Sequence, residues 1–345
     1  MNIPNELHIK SSFENLQIDN VFDAINNKFS SKNILTLVIN CLLDDNDVNT
    51  NIDYISKKSI NSIKISGFYS ANEYVMKFMM QLPNCVKYLT YNDNCLTNDQ
   101  CTHVLSNLPC DLQYLELCSY CNCNLDMLPM GLKSLSLGYE FDKPLNNLPN
   151  GLERLHIEGQ FNQTLDNLPD SLKYLYLELN NLTTPITKLP NNLECFSITL
   201  RYDASDIYED QMVEKILQNT VYPDGLETFV FSVSLDDIPH DHYDYISKYG
   251  LKYDVSMLNF PKKIKTFILG HPINTVLDKS IIPQGTKVLH LNYCYNLDNL
   301  LDMPDSVKIC YLNNSKYKID IDDVMEKIGN ARNRCPNCKF ILNTV

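Results

Sequence analysis

A ten-residue phrase returns along almost the whole chain, and its spacing limits the fold more than any other feature. It reads LPCDLQYLEL from Leu108, LPMGLKSLSL from Leu128, LPNGLERLHI from Leu148, LPDSLKYLYL from Leu168 and LPNNLECFSI from Leu189. Looser copies begin at Leu82, Tyr222, Phe260, Ile282 and Met303. Copies without the proline begin at Ser56 and Ser30, and the weakest at Ile9. Successive starts lie 20 to 26 residues apart, except for two intervals of 33 and 38. A chain built on such a period folds as a stack of similar turns, because no single turn can bury its own apolar face.

With the first Leu as position 0, apolar residues fall at positions 0, 4, 7 and 9. Positions 7 and 9 alternate as a strand requires, so positions 6, 8 and 10 point to the opposite face. Position 5 is a charged or amide residue, as at Lys87, Gln113, Lys133, Glu153, Lys173 and Glu194, which marks a solvated site. Phe141 with Leu145, and Phe161 with Leu165, add core residues downstream. The pattern predicts an α/β solenoid: a leucine-rich-repeat-like horseshoe with a parallel concave sheet of about 12 to 13 turns.

The 26-residue turns have room for helices. The spacing predicts one over residues 72–80 behind Ser70 or Asn72, and another over 97–106 capped by Thr97 or Asn98. The 20-residue turns should return as extended or 3₁₀ chain. Insertions occupy residues 201–221, with a helix from Asp206 to Leu217, and residues 235–259. Near the C-terminus a helix from Asp320 to Ile328 should stop at Gly329, before a last strand entered through Cys335-Pro336. One repeat domain is therefore expected over residues 1–345: an N-terminal cap or degenerate repeat at 1–29, repeats at 30–312, and a helix–strand cap at 313–345.

Composition excludes several functions. A formal net charge of −13 over 345 residues argues against nucleic acid or anionic membrane as partner, since both require a basic surface. With 10 glycines and no G-x-G-x-x-G or Walker pattern, phosphate-cradling loops are not expected. The most apolar stretch, residues 33–43, is too short for a span, which needs ~20 residues. No basic and apolar leader opens the sequence. Thirteen cysteines without a leader read as reduced thiols in a cytoplasmic protein.

The LP-x-S/G-L-K/E-x-L-x-L phrase, with Phe141-Asp142-Lys143-Pro144-Leu145 and Phe161-Asn162-Gln163-Thr164-Leu165 between copies, resembles the FNIP-repeat family. Those proteins are known from social amoebae and giant amoeba-infecting viruses. Each of the two elements departs from the family's pattern at one place: Asp142 stands for Asn, and Thr164 for Pro. The resemblance implies an interaction scaffold with no catalytic residues, working in a host cytoplasm if virus-encoded. Some members carry an F-box, and Ile3-Pro4-Asn5-Glu6-Leu7 echoes its opening. That gives an alternative function, the substrate receptor of a ubiquitin ligase.

Three clusters could carry chemistry. Asp236, Asp237, His240, Asp241, His242 and Asp244 could hold a divalent metal, against the plainer reading of a solvated loop. Cys335-x-x-Cys338 and Cys118-x-x-Cys121 are half zinc sites that lack a second pair nearby, and Cys335 fits strand entry. Cys110, Cys118, Cys121 and Cys123 crowd two turns, with Cys118 expected on the strand face; a catalytic thiol there would need a nearby His. A metal-binding or enzymatic protein built on these clusters is a further alternative. No catalytic residue, cofactor or metal is assigned. The preferred site is the concave strand face, with Tyr88, Tyr114, Glu116, Arg154, His156, Glu158, Tyr174, Tyr176 and Glu178 as partner-binding residues. Adjacent Tyr, Arg, His and Glu on a rigid surface have the make-up of binding hot spots, although Tyr ladders can also serve only strand pairing. The expected partner is another protein, basic in character, bound by a monomer.

Overall fold

The computed structural model describes residues 36–39, 45–66, 73–92, 96–203, 212–236, 258–270, 280–292, 303–314 and 321–344. The degenerate copy at Ile9, the caps at Ser70 and Asn72, residues 206–211, Asp237 to Asp244 and the Ile3–Leu7 segment lie outside them.

Thirteen strands form one sheet in strict chain order, and every described pairing is parallel. They are β1 (Thr36–Ile39), β2 (Ser62–Ser66), β3 (Tyr88–Asn92), β4 (Tyr114–Glu116), β5 (Ser134–Leu137), β6 (Arg154–Gly159) and β7 (Tyr174–Asn180). β8 (Cys195–Asp203), β9 (Thr228–Asp236), β10 (Thr266–Leu269), β11 (Val288–Asn292), β12 (Ile309–Asn314) and β13 (Lys339–Thr344) complete the sheet. β1 to β7 and β9 to β12 start at position 6 of the phrase, and β8 starts there as well, at Cys195. The register carries position 6 onto position 6 throughout, as in Tyr114↔Ser134↔Arg154↔Tyr174. β7, β8 and β9 run further than the phrase indicates. They pair residue for residue as far as Asp203↔Asp236.

The core is a set of columns along the solenoid. Position 4 supplies Leu112, Leu132, Leu152, Leu172 and Leu193, all fully buried. Position 7 supplies Leu115, Leu135, Leu155 and Leu175, then the larger Phe196, Phe229 and Phe267. Phe229 stacks on Phe267 at 6.0 Å, while Phe260 meets Phe267 edge-on at 5.2 Å. Thr286 takes a position-4 slot, fully buried, and donates its hydroxyl to Pro283 O at 2.7 Å, which removes the cost of a polar group there.

The helices sit in the returns: α1 (Asp45–Lys58), α2 (Glu73–Met80), α3 (Asn98–Leu105), α4 (Met212–Leu217) and α5 (Ile321–Arg334). Thr97 caps α3 in a capping box with Gln100. α1 fills the first 26-residue turn, which begins at Ser30, and buries Val48 and Ile55. α5 does not stop at Gly329. Its last turn continues until Cys335 N bonds Ala331 O at 2.9 Å. A mid-helix glycine costs only about 1 kcal/mol, which burial of Ile328 and Ala331 offsets. The 20-residue turns return as extended chain with tight turns and no helix.

In these short turns a side-chain ladder replaces the helix. Asn98 Oδ1 accepts from Asn122 N (2.8 Å), Asn122 Oδ1 from Asp142 N (3.1 Å), and Asp142 Oδ1 from Asn162 N (2.9 Å). Asn162 Oδ1 then accepts from Thr183 N (3.0 Å) and Thr184 N (2.9 Å). Each rung satisfies a backbone donor that a helix would otherwise have used. Beneath the ladder Phe141 and Phe161 stack at 6.1 Å, both fully buried.

Candidate functional site

The strand face over β3 to β7 brings together the nine residues expected to bind a partner. Position 6 aligns Tyr88, Tyr114, Ser134, Arg154 and Tyr174 across neighbouring strands. Position 8 aligns Glu116, Ser136, His156 and Tyr176, and position 10 pairs Glu158 with Glu178. All are half-buried except Tyr176, which is 5% exposed. Tyr176 is therefore a packing residue and not an open anchor. Its hydroxyl lies against Cys195 of β8, and burial, its largest influence, pushes the phenol well above its ordinary range.

A floor of small residues runs down β5. Ser134, Ser136 and Gly138 lie between Tyr114 and Glu116 on one side and Arg154, His156 and Glu158 on the other. Gly138 is required there: a Cβ would stand 2.5 Å from Cys118 O. At the end of β6, Gly159 has φ +88, and a Cβ would stand 2.0 Å from Tyr139 O.

The acidic groups on this face differ in how they are satisfied. Glu116 Oε2 accepts from Tyr114 OH at 2.7 Å and from Thr90 Oγ1 at 3.3 Å. Glu178 Oε2 accepts from Arg201 Nη2 at 2.6 Å, and its other oxygen lies 3.9 Å from His156 Nε2. Ser136 Oγ and His156 Nδ1 are 3.2 Å apart. Arg154 lies over the Tyr174 ring at 4.9 Å. Glu158 makes no hydrogen bond or ion pair with any described residue. Burial holds its carboxyl above the ordinary range, with the Glu178 charge adding to this and His156 opposing it.

The other candidate clusters fare differently. Cys118 is not on the open face: it is 3% exposed and turned inward against Cys121. Cys110 is exposed and apart from the other thiols of its cluster. Cys335 and Cys338 are buried beside β13, nine strands along the sheet from β4, which Cys118 and Cys121 follow. Among the described residues no group of three or more His, Cys, Asp or Glu side chains is arranged to hold a metal ion, and no helix is long and apolar enough to cross a membrane. A cavity of about 480 Å³ opens at the strand-entry rim, lined by Lys133, Glu153, Lys173 and Glu194. Its charges pair among themselves, Glu153 with Lys133 at 3.5 Å and with Lys173 at 3.7 Å, so it presents little net charge to a ligand.

Sequence reasoning missed two features. One is the Asn/Asp ladder, visible as Asn122, Asp142 and Asn162 at intervals of 20. The other is Cys101, which reaches the Cys118–Cys123 segment from α3 and lies 20 residues before Cys121.

Two overlapping segments, residues 122–160 and 146–180, match the family model described as FNIP Repeat. No curated protein matches the sequence. Among solved structures, the chain is similar to one described as CroV588, a novel circular LRR protein, at 15% identity and a TM-score of 0.31. The match covers 90% of this chain and 59% of that one, so this chain spans less than two thirds of that protein's length. Within the matched segment, Asp142 supplies the side-chain oxygen facing the next turn as well as Asn162 does. Residues 122–180 thus match FNIP repeats, within a leucine-rich-repeat-like solenoid whose described strands form one parallel sheet.

Proposed function

We propose that this protein is a non-enzymatic scaffold that takes a basic segment of a partner protein on the strand face over β4 to β7. The observation that carries the reading is Glu158, a half-buried carboxylate that makes no hydrogen bond or ion pair with a described residue and feels the His156 and Arg201 charges only at longer range. Keeping such a group desolvated and unpaired costs folding free energy, and an incoming Lys or Arg would recover it. Glu116 stands two strands away, about 10 Å across the sheet, beyond the low floor of Ser136 and Gly138. Tyr114, Tyr88 and Tyr174 supply contact area at low entropic cost. Arg154 and His156 border the floor on the other side, with Glu178 on the strand behind them.

The proposal takes the whole chain as one repeat domain acting as a monomer in the cytoplasm, with a host or virion protein as partner if the chain is virus-encoded. The test uses the full-length protein and a short labelled peptide of alternating arginine and glycine. Glu116→Gln/Glu158→Gln should weaken binding by tenfold or more. Asp224→Asn, which removes an exposed charge in the turn before β9, should leave it unchanged. Equal loss in both variants would reduce the effect to net charge and end the assignment of this face.

A further inference from the structure

Four thiols meet where the helix-bearing turns give way to the short ones. Cys101 comes from α3, and Cys118, Cys121 and Cys123 from the segment after β4; all four are at most 3% exposed. Cys121 Sγ lies 2.7 Å from Cys118 Sγ and 3.3 Å from Cys101 Sγ. Cys101 also contacts the Cys123 thiol. The repeat template does not call for cysteine here. Where Cys121 and Cys123 stand, the next turns have Phe141 and Lys143, then Phe161 and Gln163. Lys143 is exposed and Gln163 half-buried, whereas Cys123 is turned fully inward.

Cys118 and Cys121 are joined by a tight turn in which Cys121 N donates to Cys118 O at 3.1 Å. The turn residue Tyr120 is 57% exposed, so the pair lies directly beneath the surface. The sulfurs are about 0.7 Å further apart than a disulfide bond of ~2.05 Å. They are much closer than the ~3.8 Å edge of a tetrahedral site with Zn–S of ~2.3 Å. The spacing therefore matches bond formation better than a shared metal ion.

We propose that Cys118 and Cys121 form a peroxide-oxidisable dithiol that closes to a disulfide across the Ser119-Tyr120 turn. Cys118 is the attacking sulfur because it lies 2.7 Å from Cys121, against 3.3 Å for Cys101, although contacts with Cys121 and Cys123 hold the Cys101 thiol lower still, at about 4. The Cys121 thiol beside it, and then the Tyr120 and Cys121 amides, hold Cys118 below its ordinary thiol value against the opposing effect of burial. Cys121 is pushed up, chiefly by contact with Cys101 and Cys118, and keeps its proton. The Cys118 thiolate attacks one oxygen of hydrogen peroxide; the O–O bond breaks and hydroxide leaves, taking up the proton that Cys118 had released. Cys118 is then a sulfenic acid. The Cys121 sulfur attacks the Cys118 sulfur, the S–O bond breaks, and the Cys121 proton leaves with the hydroxyl as a second water. The two sulfurs lose two electrons and the peroxide gains them.

The reduced full-length protein is exposed to hydrogen peroxide, alkylated with N-ethylmaleimide under denaturing conditions, digested and analysed by mass spectrometry. A Cys118–Cys121 link, two fewer alkylatable thiols and reversal by dithiothreitol are expected. Cys121→Ser should leave Cys118 as a sulfenic acid that dimedone traps, and Cys123→Ser should retain the link. Three results in the wild-type protein would each overturn the proposal. One is four alkylated thiols under conditions that oxidise the exposed Cys110. Another is a link joining Cys101 to Cys121 or Cys123 instead. The third is release of stoichiometric zinc, which would make the cluster a metal site.

Discussion

Replacing Asp142 with alanine tests whether the Asn/Asp ladder holds the helix-free turns together. Asp142 Oδ1 accepts from Asn162 N and from Gln163 Nε2, each at 2.9 Å, at a half-buried position. The substitution removes both bonds and leaves the Asn162 amide without its acceptor. Bonds to a charged acceptor contribute about 1.5–3 kcal/mol each when buried, and an orphaned donor costs about 1–3 kcal/mol. Partial solvent access brings the expected loss to about 2–3 kcal/mol. Because repeat proteins share stability between neighbouring turns, the effect should centre on the turns of β5 to β7. Hydrogen exchange at the Asn162 amide should accelerate about 30- to 150-fold, by the tenfold-per-1.4 kcal/mol rule. Asp142→Asn keeps the oxygen, reproduces the family's Phe-Asn pair, and should stay within a few-fold of wild type. Exchange at Asn162 unchanged in Asp142→Ala, or equal damage from both variants, would refute a ladder that works through the oxygen alone.

Phe161→Ala deletes a fully buried ring stacked on Phe141 and should cost about 3–5 kcal/mol, read as a lower urea midpoint; a loss below about 1 kcal/mol would mean that the short turns collapse around the cavity. Burial pushes the His290 imidazole down to about 4, where it stacks on Tyr311 at 4.5 Å. Its folded value lies below the unfolded one, so the unfolded chain binds more protons between about pH 6.5 and 4. Stability should therefore fall through that window on acidification, and His290→Gln should flatten the fall in a pH series of thermal melts. Glu158 has the opposite sign: its folded value is raised, so the charged form is penalised at neutral pH. Glu158→Gln should raise the melting temperature at pH 7, and the gain should shrink as the pH falls through the folded value and then the unfolded one near ~4.3.

The strands were legible because position 6 of each copy is a backbone event as well as a residue pattern. Burial at positions 4, 7 and 9 fixes the face, and a one-residue slip would expose all three. That is why even the proline-free copies at Ser30 and Ser56 placed β1 and β2 correctly. Strand ends were less legible. β8 and β9 extend each other by mutual pairing to Asp203↔Asp236, a cooperation between segments 33 residues apart that neither copy shows alone. α5 passed Gly329 because a glycine permits a helix stop without enforcing one, and burial of Ala331 decided the matter. On the candidate face, alternation placed all nine residues on the correct side of the sheet. It could not give their depth: Tyr176 is buried against Cys195 from the next strand, whereas Tyr174, two residues earlier, stays half-open. Cys118 failed for a related reason, since β4 ends at Glu116 and the chain turns inward after it.

The same interval of 20 residues makes both the strength and the specificity of this region. Once a turn has no helix, its backbone donors must find acceptors in a neighbouring turn, and position 14 supplies them at Asn122, Asp142 and Asn162. A ladder of that kind requires neighbouring turns of nearly equal length, which keeps β4 to β7 in unbroken register. Register in turn allows side chains from different strands to act as one surface: Glu116 and Glu158 can flank the Ser136 and Gly138 floor diagonally only if β4, β5 and β6 neither slip nor bulge. In the longer turns around β9 to β11, positions 6 and 8 carry Val230, Ile268 and Val288, and the first two are buried. Charge on the strand face is thus concentrated where the turns are shortest and most uniform, which is where a rigid surface can hold an unpaired carboxylate against its own desolvation cost.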